Sequence, residues 1–268
     1  MPGFIDYHVH TNVSFDCKTA MQDMCQAAVM RGVSEVAFTD HFNNHLLDID
    51  LGYYDPDRYF SEVEVCRKRF PQLTIRTGIE VGEPHRWSRK ITPVLERYPY
   101  DVVLGSVHWV GQETLFNPNY YRARSSRQAF DDYYTEVIAM LRHGGFDILA
   151  HVDLPKRLGF DVYNEYDVCA HENALRTIWQ LCIDNNVTPE INTKGLRCRV
   201  EQEHPAPAAL AWYAEMGGTA LTFGSDAHRP DSIADGFDVA RQSALRAGLF
   251  HTVQFEKRSI VGWVNFQE

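Results

Sequence analysis

The chain has 268 residues, 44% of them hydrophobic, and a formal net charge of −10. This is enough apolar material for a sizeable core, and single α/β barrels run to about 250 residues. An acidic chain without clustered Lys and Arg is not expected to bind nucleic acid, although bound cations would let it accept a small anionic substrate. No linker, repeat or low-complexity tract interrupts the sequence, so we predict one domain over residues 1–268.

The cysteines and the apolar segments indicate the cellular compartment in which the protein is expected. None of the six cysteines forms a Cys-x-x-Cys pair, and no apolar run approaches the roughly 20 residues of a membrane span. Structure is predicted to begin at Phe4 with no signal segment before it. We therefore expect a reducing, cytoplasmic setting without a membrane partner. The pattern is compatible with any oligomeric state.

In chain order, short β-rich segments alternate with longer helical ones. The predicted strands are Phe4–Val9, Glu35–Thr39, Thr74–Glu80, Val102–Val107, Asp147–Ala150, Thr188–Ile191 and Thr219–Phe223. The predicted helices are Ala20–Arg31, Arg58–Phe70, Arg89–Arg97, Arg127–His143, Ala170–Asn185, Pro207–Met216 and Ile233–Ala247. Seven such units predict parallel strands with helical crossovers, and favour a barrel over an open doubly wound sheet.

Each predicted strand is followed by side chains that can bind a metal ion. In order they are His8 and His10, Asp40 and His41, Glu80, His108, His151 and Asp153, Glu190 and Asn192, and Asp226 and His228. Asp16 follows His10 in the next loop. Since the reactive groups of a barrel lie where strands end and βα loops begin, we expect these side chains to converge.

The pair His8 and His10 places two imidazoles on one face of a strand. Alone, such a pair is also typical of polar barrel-lining residues that bind nothing. The segment Asp226-Ala-His228 repeats the pattern, and Glu80 offers a carboxylate that can bridge two ions. The ligand candidates are too numerous for one ion, so the sequence predicts two or three divalent ions, with Zn, Mn and Fe all compatible.

Such a centre favours hydrolysis of a phosphate monoester. A divalent ion lowers the pKa of bound water from 15.7 to roughly 7, and paired ions can hold both the attacking and the leaving oxygen. Phosphate monoesters need this help because their uncatalysed hydrolysis is extremely slow. Neither a P-loop nor a dinucleotide-binding glycine pattern is present in the sequence. We therefore predict a metal-dependent phosphoesterase.

As a set, the strand-end motifs resemble those of the PHP (polymerase and histidinol phosphatase) family from residue 4 to about residue 230. The motifs are His8-Val-His10, Thr39-Asp40-His41, Gly78-Ile-Glu80, Gly105-Ser-Val-His108, His151-Val-Asp153 and Gly224-Ser-Asp226-Ala-His228. The resemblance implies a distorted (β/α)7 TIM-like barrel of the PHP fold, with three divalent ions and a hydroxide between ions that attacks phosphorus.

The resemblance also implies how the ligands are shared. One ion would take His8, His10, Glu80 and Asp226; a second would take Glu80, His108 and His151; the third would take Asp16, His41 and His228. Many members of the family have a histidine where this chain has Asp16, so the third site is the one most open to a difference in occupancy.

The size of the chain and the segment Glu190-Ile-Asn-Thr-Lys-Gly-Leu-Arg197 are most similar to the histidinol-phosphatase branch of the family. The resemblance then implies hydrolysis of L-histidinol phosphate, a step of histidine biosynthesis. Guanidinium groups match phosphate oxygens in bidentate fashion, and Arg157 and Arg197 are the expected phosphate ligands. Asp226 and His228 are the candidate proton donors to the leaving group, with a metal-bound water as the alternative.

The rest of the substrate is expected to meet aromatic and acidic groups after the strands. The candidates for stacking are Phe42, Trp109, Phe116, Tyr120 and Tyr121, although most aromatic residues of a barrel serve packing. Glu83 or Asp153 could bind an amine. His85 matches no ligand motif and is interpreted as a surface or supporting residue.

Three other functions remain open from the residues. A related phosphoesterase acting on a nucleotide monophosphate or bisphosphate has the same ligand requirements. A non-catalytic metal-binding module of a larger assembly would also retain the ligands, although no partner domain is recognisable here. An amidohydrolase shares the His-x-His opening but normally uses a metal-bridging lysine, for which this chain has no convincing position.

Overall fold

A computed structural model describes residues 3–267. The strands are β1 Phe4–Val9, β2 Val33–Phe38, β3 His41–Phe42, β4 Thr74–Gly82, β5 Val102–Ser106, β6 Trp109–Val110, β7 Glu113–Thr114, β8 Ile148–Leu149, β9 Thr188–Asn192, β10 Ala220–Gly224, β11 His251–Glu256 and β12 Ser259–Asn265. The helices are α1 Met21–Met30, α2 Pro56–Arg69, α3 Pro84–Arg97, α4 Pro118–Arg122, α5 Ser126–His143, α6 Lys156–Tyr163, α7 Glu172–Asn185, α8 Pro207–Glu215 and α9 Phe237–Ala247. Short 3₁₀ turns cover Val168–His171, Lys194–Arg197 and Pro230–Ser232.

Seven parallel strands follow one another around the sheet in the order β1-β2-β4-β5-β8-β9-β10. An isolated parallel bridge between Val9 and Ala227 brings the last of them back to the first. There the backbone N–H of His10 donates to the carbonyl of Ala227 at 2.9 Å. This confirms the predicted α/β architecture with seven parallel strands.

The distortion of the barrel lies between β10 and β1. At its amino end β10 pairs with β11, through Ala220 with His251 and Leu221 with Thr252. Strands β11 and β12 form an antiparallel hairpin beyond the predicted elements. The hydroxyl of Tyr7 on β1 accepts a hydrogen bond from the N–H of Phe255 on β11 at 2.8 Å. The hairpin therefore fills the gap that the two barrel strands leave at this end.

Two apolar clusters hold the layers together. The larger lies between the strands and the surrounding helices. The smaller joins residues of β1, β2, β5, β8 and β11, namely Ile5, Tyr7, Ala37, Val102, Leu104, Ile148, Val253 and Phe255, with Ala150 just after β8. Because β1 and β5 are not neighbours in the sheet, these contacts run across the barrel, which is a filled core and not a pore.

Every predicted strand and helix has a counterpart in the structure, with shifts mainly at the ends. Helix α3 begins at Pro84 instead of Arg89. Helix α9 begins at Phe237 instead of Ile233, because Ala234 and Gly236 have positive φ and cannot continue a right-handed helix. The sequence reading missed the short helices α4 and α6, the short strands β3, β6 and β7, and the hairpin of β11 and β12. Among residues 3–267, no helix is both long and apolar enough to traverse a bilayer.

The link between β1 and the hairpin gives a stability prediction. Tyr7 is 1% exposed, and its hydroxyl donates to the buried Glu35 carboxylate while accepting from Phe255 N–H. Tyr7→Phe would leave two buried polar groups short of a partner, so we expect the free energy of unfolding to fall by about 1–3 kcal/mol. Urea unfolding measures this.

The matched control is Tyr98→Phe, because the Tyr98 hydroxyl donates to Asp57 at 2.6 Å on the exposed surface. Its change should stay within about 0.5 kcal/mol. Equal losses from the two variants would contradict the role assigned to Tyr7.

Candidate metal centre

The side chains predicted as metal ligands come together at the carboxyl ends of the barrel strands. They are His8, His10, Asp16, His41, Glu80, His108, His151, Asp226 and His228. The rings of His8 and His10 lie on one side of β1, with centroids 5.1 Å apart, and both side chains are fully buried. The convergence expected from the strand ends is therefore present in the fold.

Glu80 lies at the centre of this group. Its Oε2 is 2.8 Å from His41 Nδ1 and 3.3 Å from His8 Nε2. Its Oε1 is 3.0 Å from His151 Nε2 and 3.4 Å from His108 Nε2. His10 Nε2 also lies 3.6 Å from Oε2. One carboxylate thus faces five imidazoles, with its two oxygens turned to different sets, which is the geometry that a bridging carboxylate requires.

The more open side of the group is formed by Asp16, His228 and Asp226. Asp16 Oδ2 is 2.8 Å from His228 Nε2 and 3.5 Å from His41 Nε2. Asp226 Oδ1 is 3.6 Å from His10 Nε2. The Asp16 side chain is 46% exposed, whereas Asp226 is 4% exposed. The set that contains Asp16 therefore lies nearest to solvent.

Several candidate ligand atoms of the group are buried yet make no hydrogen bond of acceptable angle among residues 3–267, even where another ligand atom is close. These are His8 Nε2, His10 Nε2, His41 Nδ1 and Glu80 Oε2. Buried polar atoms are normally paired, so four unpaired atoms at one place indicate a site for a bound group.

Four triads bring their donor atoms within 4.8 Å of one another, namely His8-His10-Asp226, His8-Glu80-His151, His41-Glu80-His108 and His10-His41-His228. Imidazole and carboxylate donors in this arrangement fit divalent ions such as zinc.

The two buried carboxylates of the group are held ionised. Burial by itself would raise the pKa of Glu80, but the imidazoles of His41, His8 and His108 outweigh it and keep the pKa well below its usual range. For Asp226 burial is opposed by Lys194 and His8, and the pKa again falls well below its usual range. Both groups therefore present negative charge to a cation.

A buried carboxylate behind the first strand fixes the orientation of a ligand. Glu190 Oε1 lies 2.7 Å from His8 Nδ1, and since a carboxylate can only accept, this nitrogen carries the proton and Nε2 is left with its lone pair. Glu190 Oε2 also accepts from the N–H of His151 at 2.9 Å. A Cβ at Gly224 would lie 1.8 Å from Glu190 Oε1, so only glycine permits this approach. Glu190 supports the ligands instead of being one of them.

A second buried carboxylate, Asp40, organises the loop after β1. It accepts hydrogen bonds from Thr11 N–H at 2.6 Å, from Thr11 Oγ1 at 2.8 Å and from Ser14 Oγ at 2.9 Å. Ser14 Oγ in turn lies 3.2 Å from His10 Nδ1 and accepts the N–H of His41 at 2.9 Å. Sequence reasoning missed Thr11 and Ser14, because their role depends on a loop folding over the next strand.

The backbone is strained at two of the ligands. Asp226 has φ 51° and His151 has φ 22°, both in the left-handed region that residues with a Cβ rarely adopt. Such conformations are concentrated at functional sites, where the surrounding structure enforces them. Here they set the direction in which the two side chains leave their strands.

A cavity of about 420 Å³ opens onto the group. Asp16, His41, His108, His151 and Asp226 line it on the ligand side. Arg157, predicted as a phosphate ligand, also lines it, and its Nη1 is 3.3 Å from Asp226 Oδ2. Lys194 was missed in the sequence but lies on the same wall, with its Nζ 2.8 Å from Asp226 Oδ1. Two cations therefore stand beside the candidate metal centre.

Arg197 is placed differently from Arg157. Its guanidinium donates to the carbonyl of Ser225, next to Asp226, and lies 3.5 Å from the Asp235 carboxylate. It is not among the described residues that line the cavity. Its role as a phosphate ligand stays a prediction, and its observed contacts fix the backbone beside Asp226.

The predicted substrate contacts divide into two groups. Trp109 and Phe116 line the cavity. The other aromatic candidates do not: the Tyr120 hydroxyl donates to Ala129 O, that of Tyr121 donates to Leu115 O, and Phe42 packs on Tyr54. They serve packing, as most aromatic residues of a barrel do.

The acidic candidates for binding an amine are both buried in the protein. Asp153 is fully buried, with Lys156 Nζ at 3.1 Å and His204 Nδ1 at 2.5 Å, so the proposal that it binds a substrate amine is wrong. Glu83 is fully buried as well and accepts from the N–H groups of His108 and Trp109. The neighbours of Asp153 already use its carboxylate, whereas Glu83 Oε2 has no hydrogen-bond partner among residues 3–267.

His85 matches the interpretation as a supporting residue. Its Nε2 lies 2.9 Å from Glu136 Oε2, and Glu136 also accepts from Arg86. This contact joins α3 to α5 and lies outside the cavity of the metal centre.

Comparison with known proteins shows the family and the fold. The model of the PHP domain family matches residues 6–194. Probable histidinol-phosphatases of Clostridium acetobutylicum and Deinococcus radiodurans are 30% and 29% identical; the matches cover 94% and 97% of this chain, and 97% and 99% of those proteins. The solved structure of histidinol phosphate phosphatase from Lactococcus lactis, complexed with zinc, L-histidinol and phosphate, has a TM-score of 0.87 at 21% identity, covering 97% of this chain and 99% of that one. This last likeness confirms the fold.

The orientation of His8 gives a prediction about metal affinity. Glu190→Gln removes the carboxylate that holds the Nδ1 proton, and we expect the affinity for Zn²⁺ to fall by about 10- to 100-fold, as is usual for such supporting groups. Competition with a chromophoric chelator measures the affinity.

Glu64→Gln is the control, because Glu64 lies on the exposed face of α2 and, within residues 3–267, pairs only with Arg67. It should leave Zn²⁺ affinity unchanged. An unaltered affinity in Glu190→Gln would show that Glu190 does not support a metal ligand.

Proposed function

This chain belongs to the PHP domain family, and we propose that it is a histidinol-phosphatase, a metal-dependent phosphomonoesterase that hydrolyses L-histidinol phosphate to L-histidinol and phosphate. The observation that carries the proposal is the buried group of ligand side chains with unpartnered donor atoms, set beside two cations in one cavity. The proposed substrate is inferred from the names of the relatives. In metabolism this activity would serve histidine biosynthesis.

For the cofactor we propose two or three divalent ions. The ligand sets are His8, His10, Glu80 and Asp226; Glu80, His108 and His151; and Asp16, His41 and His228. The Lactococcus lactis structure is described with zinc, and manganese and iron accept the same donors. When bound, such ions supply Lewis acidity to a phosphoryl oxygen and to a water nucleophile.

The protein's own contribution to phosphate binding comes from Arg157 and Lys194. Both flank Asp226, and both line the cavity, so a phosphate dianion held there meets two fixed positive charges. Charge-assisted hydrogen bonds of this type are about twice as strong as neutral ones. These residues would orient the ester and offset charge that develops on the phosphoryl oxygens.

Proton transfer to the leaving alkoxide is proposed for His228, with water as the alternative donor. Asp226, the other candidate from the sequence, is ionised and can donate only after it has taken up a proton. Asp226 lines the cavity, and the His228 side chain is 17% exposed beside Lys194, whose Nζ is 3.4 Å from His228 Nδ1. These two side chains are thus the candidate ligands that lie closest to the cations on the cavity wall.

We further propose that residues 1–268 act as one domain in a reducing, cytoplasmic setting. Asp226 and His228 lie beyond the segment matched by the family model, yet they complete the ligand group begun by His8 and His10. The cysteines are all free thiols, which suits a reducing compartment.

Activity is tested by phosphate release from L-histidinol phosphate and from a panel of nucleotide mono- and bisphosphates. We expect a clear preference for L-histidinol phosphate, and loss of activity on treatment with a chelator that Zn²⁺ or Mn²⁺ reverses. His8→Ala and Asp226→Asn should each lower kcat by more than about 100-fold, because each removes a ligand.

His143→Ala is the control, since this exposed histidine ends α5 away from the cavity. It should retain the activity of the parent protein. A preference for a nucleotide would overturn the substrate assignment, and full activity in His8→Ala would overturn the site.

A second experiment distinguishes the roles of the basic residues, with inorganic phosphate as a competitive inhibitor. Arg157→Ala and Lys194→Ala should raise its Ki by about 10- to 100-fold, because each removes a charged contact. Arg197→Ala should lower kcat with a smaller rise in Ki, since its guanidinium binds the Ser225 carbonyl. If Arg197→Ala raises Ki as much as Arg157→Ala does, Arg197 is a phosphate ligand.

A further inference from the structure

The cavity of the metal centre has an acidic wall, formed by two carboxylates that are not candidate metal ligands. Asp48 and Asp50, in the loop that follows β3, line the cavity of about 420 Å³. A second cavity of about 320 Å³ shares Arg157 and Lys194 with the first but is not lined by either of these aspartates. The first cavity therefore offers cations at the metal centre and carboxylates on a part of its wall that the second does not reach.

Asp50 is a nearly buried carboxylate with spare hydrogen-bonding capacity. It is 9% exposed, and its Oδ2 accepts from Asn43 Nδ2 at 3.1 Å. Within residues 3–267 its Oδ1 accepts no hydrogen bond, and neither Asp50 nor Asp48 forms an ion pair. Burial raises the pKa of Asp50; His41 opposes this rise, and Asp48 and Asp16 add to it. Among the described residues, the Asp50 carboxylate therefore has no cation within ion-pair distance.

The acidic wall is held firmly against the neighbouring hairpin. Asp48 Oδ2 accepts from the Trp109 indole N–H at 2.7 Å, and its Oδ1 accepts from Asp50 N–H at 2.9 Å. The ring of His45 stacks on Trp109 at 3.9 Å, and His45 Nε2 lies 3.1 Å from Gly111 O. These contacts fix the loop onto β6 and β7, so the two carboxylates are in place before a ligand arrives.

We propose that Asp48 and Asp50 form a subsite for the cationic nitrogen of a phosphate monoester whose phosphate binds at the metal centre. This inference rests on the proposed function, because the phosphate end must be held beside Arg157 and Lys194. The amine and the imidazole of L-histidinol phosphate are both groups of the required kind. Phe116 and Trp109 line the same cavity and provide apolar surface for the carbon skeleton or the ring.

The experiment compares kcat/KM for two esters, L-histidinol phosphate and glycerol phosphate, which lacks a cationic group. In Asp48→Asn and Asp50→Asn we expect the ratio of the two values to fall by about 10- to 100-fold, with glycerol phosphate unaffected. Asparagine keeps the shape and one acceptor oxygen, so the bonds to Trp109 and Asn43 can persist. Melting temperatures check that the variants fold. If Asp50→Asn does not fold, Asp48→Asn alone is sufficient for the test.

Asp161→Asn is the matched control, because Asp161 lines the second cavity and not the first, and its side chain is 46% exposed. It should leave the ratio unchanged. A constant ratio in both test variants, or an equal fall in Asp161→Asn, would overturn the subsite.

Binding of L-histidinol in the presence of inorganic phosphate, followed by calorimetry, gives a second readout without turnover. Its Kd should rise by about 10-fold in Asp50→Asn and stay constant in Asp161→Asn. Turnover of L-histidinol phosphate with unchanged selectivity in the test variants would leave the proposed function standing and remove the subsite. A preference for phosphoethanolamine over L-histidinol phosphate, lost in Asp50→Asn, would keep the subsite and remove the proposed substrate.

Discussion

The structure depends above all on the Glu80 carboxylate, which is completely buried among imidazoles. Transfer of an isolated carboxylate out of water costs several kcal/mol, and only nearby positive charge or a metal ion offsets this cost. Strand β4 carries Glu80 to the middle of the barrel mouth, and β1, β5 and β8 bring their histidines to its two oxygens. The candidate ligands, which are far apart in the chain, therefore stabilise one buried negative charge.

The same constraint explains the supporting network. Imidazoles packed this closely must present their lone pairs inward, which requires acceptors behind them for the other ring nitrogen. Glu190 does this for His8, and Ser14 lies behind His10, itself held by Asp40. The close approach of Glu190 in turn demands Gly224 on the neighbouring strand. The buried charge at the centre thus determines which residues can stand behind the histidines, including the polar Glu190 and Ser14 and the glycine at position 224.

The cavity is lined by charged side chains of both signs. Arg157 and Lys194 contact Asp226, whereas Asp48 and Asp50 contact Trp109 and Asn43. A substrate that carries both a phosphate and a cationic nitrogen matches this combination of charges. The loop that carries the aspartates is attached to the hairpin of β6 and β7 through Trp109, so specificity would be contributed by elements outside the seven barrel strands.

The sequence by itself determined the seven alternating units and the group of candidate ligands, because the carboxyl ends of the parallel strands of a barrel lie at the same rim. Composition and motif spacing were enough for that. Lys194, Ser14 and the pair Asp48 and Asp50 were decided only by the tertiary structure, since their roles come from loops that fold over other strands. Tertiary structure also turned Arg197 toward Ser225 and enclosed Asp153 between Lys156 and His204. Local sequence does not indicate which distant charged group will pair with such a side chain, because that pairing follows from long-range packing.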